Sequence, residues 1–209
     1  MRHEVRRFGI AAAFAVGLAL ALIAAEPFAA RPTKAKPAKG MFLVASSRMM
    51  DPNFARTVIL LTKYGPDGAM GIVVNRPTDV SIAHAVPDLA GFSRSGEGIY
   101  FGGPVTPNGL FLLVKMKGKP EAQQVLDDVY LGRSRALLKD LIDKTDAVFR
   151  VYTGYAGWAP GQLDAELARG DWLVKRADSG SVFFDDGQLW RNLLPPDPSW
   201  SAELRSNHH

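Results

Sequence analysis

The sequence contains no cysteine and little histidine among its 209 residues. The absence of cysteine excludes disulfides, zinc–thiolate sites, iron–sulfur clusters and thiol nucleophiles. Between residues 40 and 196, His84 is the sole histidine, and no H-E-x-x-H or comparable metal-ligand spacing occurs. Ser46 and Ser47 have no evident base beside them. We therefore predict no metal, no cofactor and no nucleophilic catalysis.

Most of the chain also lacks an excess of basic residues. The formal net charge is +4, but residues 1–39 hold 7 of the 25 basic and 2 of the 21 acidic side chains, which leaves 18 basic and 19 acidic ones. A domain without a positive excess lacks the attraction that provides most non-specific affinity for DNA. The composition therefore argues against direct nucleic-acid binding by the core domain.

One long apolar run lies near the start of the chain. Residues 8–25 are 18 uncharged residues preceded by Arg2, Arg6 and Arg7. As a helix they would span roughly 27 Å at about 1.5 Å per residue, close to the thickness of a bilayer core. We interpret residues 1–30 as a signal-like or membrane-anchor segment, which implies inner-membrane anchoring through the apolar run or export.

The remainder divides into a linker, one domain and a tail. Residues 31–39 are a basic linker rich in Pro, Ala and Lys, residues 40–196 form the domain, and residues 197–209 are predicted to be a flexible tail. Met41 keeps a further alternative open, in which it is the true initiator and the preceding residues reflect a mis-assigned start codon.

Short apolar runs predict a strand-rich domain. Runs at residues 42–45, 57–61 and 70–74 lack helical spacing, and their continuous apolarity indicates burial on both faces. The Gly-Pro-Asp-Gly turn at residues 65–68 predicts that the second and third strands form a hairpin. Further strands are predicted at residues 99–101, 110–115, 147–153, 172–175 and 182–184.

Four segments have helical signals. These helices are predicted at residues 81–86, 134–144, 162–169 and 188–194. Ser81 and the apolar stripe within residues 134–144 support the first two. Because strands outnumber helices, we predict an α/β (α+β) fold, a single compact domain with a mixed, largely antiparallel sheet packed with helices.

The segment Asp51-Pro52-Asn53-Phe54-Ala55-Arg56, here called the DP turn, places a carboxylate near a guanidinium. Pro52 disfavours a helical conformation at Asp51. One interpretation is that Asp51 orients Arg56 to bind an anion or a partner, because arginine offers a planar fork of donors. The alternative is structural, either an ion pair or an aspartate-capped turn at the entry to the next strand.

Two further polar or glycine-rich sites follow the early strands. Asn75 and Arg76 follow the third strand, where they either bind a ligand or cap exposed strand ends. Gly102-Gly103-Pro104 lacks the Walker lysine and serine or threonine of a phosphate-binding loop. The two glycines therefore favour a turn that lets neighbouring strands approach closely.

Residues 154–163, Gly-Tyr-Ala-Gly-Trp-Ala-Pro-Gly-Gln-Leu, form the most distinctive block. Glycines between a strand and a helix are typical of positions where backbone donors and a helix N-terminus face a ligand. Tyr155 and Trp158 are expected to form a stacking wall, and Gln162 and Glu166 share one helix face. Alternatively, the aromatic rings seal the core edge and Gln162 satisfies loop backbone.

Taken in order, DP-x-F-x-R, GAMG, N-R-P, GGPV and GYAGW-x-x-GQL resemble the AlgH/YqgE-like family of bacterial proteins over about residues 40–194. The resemblance implies a single compact α/β domain, a cytosolic location and no settled biochemical activity. It also implies a proposed role in regulating alginate exopolysaccharide synthesis.

We accordingly expect a non-enzymatic binding or regulatory module that recognises an unknown protein partner or a small anionic ligand. The alternative is a small-molecule enzyme or sensor that binds an anionic ligand. Arg56, Asn75 and Trp158 are expected to meet at one rim of the sheet. The predicted binding surface comprises Asp51, Arg56, Asn75, Arg76, Gly102, Gly103, Tyr155, Gly157, Trp158, Gln162 and Glu166.

Overall fold

A computed structural model describes residues 35–92, 94, 96–118, 122–183 and 187–196. The predicted N-terminal segment 1–30 and the tail 197–209 lie outside these ranges, and the linker 31–39 is described only from residue 35. Within the described ranges, no helix has both the length and the apolarity that crossing a membrane requires.

The described residues form ten strands and five α-helices. The strands are β1 Met41–Ala45, β2 Val58–Gly65, β3 Gly68–Val73, β4 Pro77–Ser81, β5 Gly98–Phe101, β6 Val105–Lys115, β7 Gln123–Gln124, β8 Val129–Gly132, β9 Val148–Trp158 and β10 Trp172–Arg176. The helices are α1 Ile82–Ala85, α2 Arg135–Ile142, α3 Gln162–Arg169, α4 Ser179–Phe183 and α5 Leu189–Leu193, with a 3-10 helix at Pro87–Leu89.

The sheet is mixed and mostly antiparallel, as predicted. Its strand order is β10-β1-β2-β3-β9-β6-β8-β7, and β4 and β5 pair with each other beside β9. Only the pairing of β5 with β9 is parallel among the described strands. The long strand β9 joins the two halves of the sheet, because its end pairs with β3 and its beginning with β5 and β6. Helices pack on this sheet, which confirms the α+β fold.

The first three strands are buried on both faces, which confirms the prediction from their continuous apolarity. Phe42 belongs to a hydrophobic cluster that Val182 of α4 and Leu189 of α5 complete. Leu43, the next residue along β1, belongs to a second cluster that includes Leu163 of α3. Successive residues of the strand therefore support different cores, because side chains alternate between the faces of a sheet.

The sequence signals that mark helix ends are confirmed at three helices. The hydroxyl of Ser134 accepts from the backbone N–H of Leu137 at 3.3 Å, and α2 buries its predicted stripe. Ser81 caps α1 in the same manner, with 3.2 Å to the N–H of His84. Gly170 ends α3 in the left-handed conformation at φ +81°.

The strand predicted at residues 182–184 is wrong, because the described part of that segment belongs to α4. Asp178 decides the outcome. Its carboxylate accepts from the backbone N–H of Ser181 at 2.9 Å and from the hydroxyl of Ser181 at 2.7 Å. This capping outweighs the β propensity of the short apolar run.

Strand β9 is longer than predicted, and this changes the placement of the distinctive block. The predicted strand ends at residue 153, whereas β9 continues to Trp158. The glycines of GYAGW therefore lie inside a strand instead of following one. Three short strands, β4, β7 and β8, are absent from the sequence-based prediction; β4 and β7 are polar, and β8 has only four residues.

Candidate functional site

The DP turn is closed by its own aspartate. The carboxylate of Asp51 accepts from the N–H of Asn53 at 2.8 Å, and its carbonyl accepts from the N–H groups of Phe54 and Ala55 at 2.9 and 2.7 Å. Asp51 and Arg56, both described, do not form a salt bridge. The aspartate-capped turn is therefore the arrangement in the structure.

The Arg76 side chain is hydrogen-bonded to the backbone of the DP turn. Its Nη1 donates to the carbonyl of Asn53 at 2.8 Å, and its Nη2 donates to the carbonyls of Pro52 and Ala55, each at 3.0 Å. Burial lowers the pKa of the Arg76 guanidinium, and the Asp51 carboxylate acts in the opposite direction. The side chain thus holds three backbone carbonyls in one place.

Asn75 fixes the backbone at Arg56. Its Nδ2 donates to the carbonyl of Arg56 at 3.0 Å, while its Oδ1 accepts from the N–H of Val58 at 2.8 Å. Arg56 has φ +59°, a conformation that bulky L-residues rarely adopt. Such strain persists only where the surroundings impose it, and it occurs preferentially at functional sites. The Arg56 side chain is exposed.

Phe54 connects the DP turn to two buried tryptophans. Its ring centroid lies 6.4 Å from that of Trp158 and 5.7 Å from that of Trp172. The two indoles are 6% and 3% exposed and meet edge to face at 6.1 Å. The DP turn and the GYAGW block therefore meet through a hydrophobic aromatic contact.

The polar groups of the two indoles and of the side chains next to them form a hydrogen-bond network. Glu166 Oε2 accepts from the indole N–H groups of Trp158 and Trp172, each at 2.8 Å. Glu166 Oε1 accepts from Gln162 Nε2 at 3.0 Å, and Gln162 Oε1 accepts from the N–H of Ala159 at 3.1 Å. We call Trp158, Gln162, Glu166 and Trp172 the Glu166 network. Its contacts match the alternative in which the aromatics seal the core and Gln162 satisfies loop backbone.

Tyr155 and Trp158 do not form a shared stacking wall, so that expectation is wrong. Tyr155 packs against Phe111 with ring centroids 5.6 Å apart and borders the cluster that contains Phe42. Trp158 belongs to the cluster that contains Leu43. Because β9 continues to residue 158, residues three apart on it point to opposite faces. Gly157 lies on the same face as Tyr155, whose ring it approaches.

Gly102 and Gly103 lie where the chain passes close to β9. A Cβ at either position would come within 3.0 Å of β9 backbone, at Gly154 for Gly102 and at Tyr155 for Gly103. Gly103 has φ +148° and Gly154 has φ +68°. This is the close strand approach that the sequence predicts at GGPV.

A groove of about 1120 Å³ lies between the loop after β1, the DP turn and α5. Three arginines line it, Arg48, Arg56 and Arg191, together with the hydroxyl residues Ser46 and Ser47. We call this cavity the arginine groove. No acidic side chain is among the described residues that line it.

The three guanidinium groups have no protein partner within the described part of the chain. Arg169, which precedes the groove residue Gly170, forms a salt bridge with Asp171 at 2.7 Å. In contrast, none of the three groove arginines makes a salt bridge or a side-chain hydrogen bond to a described residue. Residues 40–209 carry one more acidic than basic side chain. The groove is therefore a local concentration of positive charge on a domain that has no positive excess.

One wall of the arginine groove is apolar and anchored to the sheet. Trp190 of α5 lines the groove, and its indole N–H donates to the carbonyl of Ala45 at 2.7 Å. Leu194 also lines the groove, and so does Met50, which is 89% exposed. The groove thus combines unpaired cations with accessible apolar surface.

A second cavity, of about 560 Å³, has carboxylates in its wall. Asp127, Asp128 and Asp178 line it beside Gly40. Among the described residues, no three or more acidic or histidine side chains are grouped so that they could hold a metal ion. We therefore take the arginine groove as the candidate site.

The predicted surface is divided by the structure into parts with different surroundings. Arg56 alone of the predicted residues lines the arginine groove, while Asp51, Asn75 and Arg76 support the turn that presents it. The remaining residues are Trp158, Gln162 and Glu166 in the Glu166 network, and Gly102, Gly103, Tyr155 and Gly157 along β9. Arg56, Asn75 and Trp158 surround one turn, but their side chains do not face one cavity.

Sequence reasoning missed several groove residues. Arg48 and Met50 lie within three residues before the DP turn, so their proximity to the family motif is a usable signal. Trp190 and Arg191 have no such signal, because they reach the groove only through the docking of α5 on β1.

Comparison with known proteins places this geometry in a family. The family model described as AlgH-like (DUF179) matches residues 42–196. A UPF0301 protein of Chlorobium luteolum is 35% identical over 174 residues, covering 81% of this chain and 85% of that protein. A UPF0301 protein of Magnetococcus marinus is 36% identical over 172 residues, covering 80% and 87%.

Two solved structures have the same fold. The solution structure of the AlgH protein from Pseudomonas aeruginosa matches with a TM-score of 0.61 and 31% identity, covering 86% of this chain and 92% of that one. The crystal structure of protein DIP2367 from Corynebacterium diphtheriae matches with a TM-score of 0.67 and 25% identity, covering 79% and 91%. With a family model that spans most of its length and relatives of this similarity, the chain belongs to the AlgH-like family.

Proposed function

We propose that this protein is a non-enzymatic binding or regulatory module that holds an anionic ligand in the arginine groove. The observation that carries the proposal is the presence of Arg48, Arg56 and Arg191 in one groove without a described carboxylate. A role in regulating exopolysaccharide synthesis, which the family resemblance implies, would be exercised through the ligand bound there.

The chemistry of the lining supports binding of an anion. A guanidinium presents a planar fork of N–H donors that matches a carboxylate or a phosphate group. The hydroxyl groups of Ser46 and Ser47 supply further donors. An adjoining apolar wall excludes water and so strengthens the electrostatic contacts that form beside it.

The backbone at Arg56 supports the same conclusion. Asn75 and Arg76 make five hydrogen bonds to backbone between Pro52 and Val58, so the turn is organised before any ligand arrives. A site held in advance loses less entropy when it binds. Arg56 is thus displayed by a rigid turn at an unfavourable φ.

The test is an NMR titration with inorganic pyrophosphate and with citrate at low ionic strength. Both probes should shift the Nε–Hε resonances of Arg48, Arg56 and Arg191. Arg56→Gly should abolish the shifts at the other two arginines, and this variant keeps the fold because glycine adopts φ +59° without strain.

Arg176→Ala is the matched control, since Arg176 is an exposed arginine at the far end of β10. It should leave the response of the groove arginines unchanged. Equal shifts at Arg176 and at the groove arginines, or an unaltered response in Arg56→Gly, would refute the proposal.

A further inference from the structure

We infer that the ligand of the arginine groove is an extended acidic peptide segment with at least one bulky apolar side chain, contributed by a partner protein. The inference rests on the proposed function and names its ligand class. Three properties of the groove support it: its size, its charge and its exposed apolar surface.

The first property is size. The groove measures about 1120 Å³, whereas pockets for small molecules usually measure about 300–1,000 Å³. Its lining comes from four separate parts of the chain: the loop after β1, the DP turn, Gly170 and Leu173 at the start of β10, and α5 with the residues that follow it. A peptide of several residues can contact all of these parts along its length, whereas a small anion fills only part of the groove volume.

The second property is charge. Arg48, Arg56 and Arg191 approach the groove from different segments, so they can engage carboxylates at separate positions along a chain. Apart from these three arginines, residues 40–196 hold 14 basic and 17 acidic side chains, so the rest of the domain has an acidic excess. An acidic segment is therefore attracted to the groove itself and repelled elsewhere, which fixes where it binds.

The third property is apolar surface beside the cations. Met50 is 89% exposed, and Trp190 and Leu194 line the same groove. Methionine adapts its shape to different partners, while tryptophan and arginine are enriched at the residues that dominate binding energy. A simple polyanion would leave this surface unused, whereas a Leu or Phe side chain between two acidic residues would cover it.

The position of the groove also suits an extended chain. Leu173 lines the groove and belongs to β10, the strand at which the sheet order begins. No described strand pairs with the outer side of β10. A peptide in the groove therefore lies beside a sheet edge, where main-chain hydrogen bonds can align it.

The experiment measures fluorescence anisotropy of labelled peptides added to the full-length chain. The probe peptide alternates Glu with Leu and Phe. One comparison peptide replaces every Glu with Lys, and another keeps every Glu but replaces Leu and Phe with Ser. The probe should bind about tenfold or more tightly than either comparison peptide, as one charge-assisted hydrogen bond or one buried apolar side chain predicts.

Variants locate the binding. Arg56→Gly and Arg191→Ala should each weaken binding of the probe about tenfold, and Arg176→Ala should not change it. Met50→Ser tests the apolar contact separately and should weaken binding about threefold. Because Met50 is 89% exposed, this substitution leaves the folded core intact.

Several results would overturn the inference. These are binding of the Lys peptide as tight as that of the probe, binding of the Ser peptide as tight as that of the probe, and unchanged affinity in Arg56→Gly. If pyrophosphate and citrate shift the groove arginines but no peptide binds, the inference fails while the proposed function stands. If neither the anions nor the peptides bind, both fail.

Discussion

Removing the Glu166 carboxylate should destabilise the domain more than its half-buried position suggests. Oε2 of Glu166 is the hydrogen-bond acceptor for both Trp158 and Trp172. The substitution Glu166→Ala removes the acceptor and leaves both indole N–H groups in place. Since the two indoles are only 6% and 3% exposed, water has little access to replace the lost partner.

The magnitude follows from the two donors. A buried donor left without a partner costs about 1–3 kcal/mol, so two of them cost about 2–6 kcal/mol. Domains of this size are stable by about 5–15 kcal/mol, so the loss is a large fraction of the total. The bond from Gln162 lies at an exposed position and adds little to this figure.

Urea denaturation monitored by far-UV circular dichroism measures the effect. Asp164→Asn is a matched control on the same helix, because Asp164 is exposed and accepts one hydrogen bond, from Tyr64. We expect the control to change the free energy of unfolding by less than about 1 kcal/mol. A loss below about 1 kcal/mol in Glu166→Ala would refute the reasoning that one carboxylate holds both indoles.

Three further predictions concern other parts of the fold. Arg76→Ala should lower the free energy of unfolding in urea by about 2–3 kcal/mol, since it removes three charge-assisted bonds whose carbonyls water can then partly reach. Gly103→Ala should reduce the yield of folded protein or its melting temperature sharply, because its Cβ would overlap Tyr155 backbone; an unchanged melting temperature would contradict this. Hydrogen bonds from Ser181 lower the pKa of Asp178, so its stabilising contribution is complete above the ordinary value of 3.8 and is lost as pH falls through the lower folded-state pKa. In a carbon-13 NMR titration, Ser181→Ala should raise that pKa because it removes the hydroxyl bond and keeps the backbone N–H bond, and no rise would exclude the hydroxyl bond as the main cause.

The fold could be predicted well where one local rule acts alone. The apolar runs of β1 and β2 and the Ser134 cap of α2 each have a single strong signal, and each is confirmed. The strand prediction at residues 182–184 was wrong because the helix cap at Asp178 competes with the β propensity of a run of only three residues. The predicted end of β9 was wrong because glycine usually interrupts a strand. Here β9 continues through its glycines because it pairs with β3.

The candidate site could be predicted only in part. The DP turn identified Arg56, since its motif joins a proline-restricted aspartate to an arginine within six residues. Whether Trp158 faces a ligand or the core depends on where β9 ends, which tertiary pairing decides. Arg191 enters the groove through the docking of α5, and no spacing in the sequence carries that information.

The alternation along β1 has a consequence for how the protein tolerates change. A strand with one wet face accepts polar replacements at every second position, but here both Phe42 and Leu43 are fully enclosed. A one-residue slip against β2 would exchange the occupants of two differently shaped interiors at once. Burial on both faces therefore fixes the register of β1. Substitutions that do not destabilise the fold should concentrate in the loops that border the sheet.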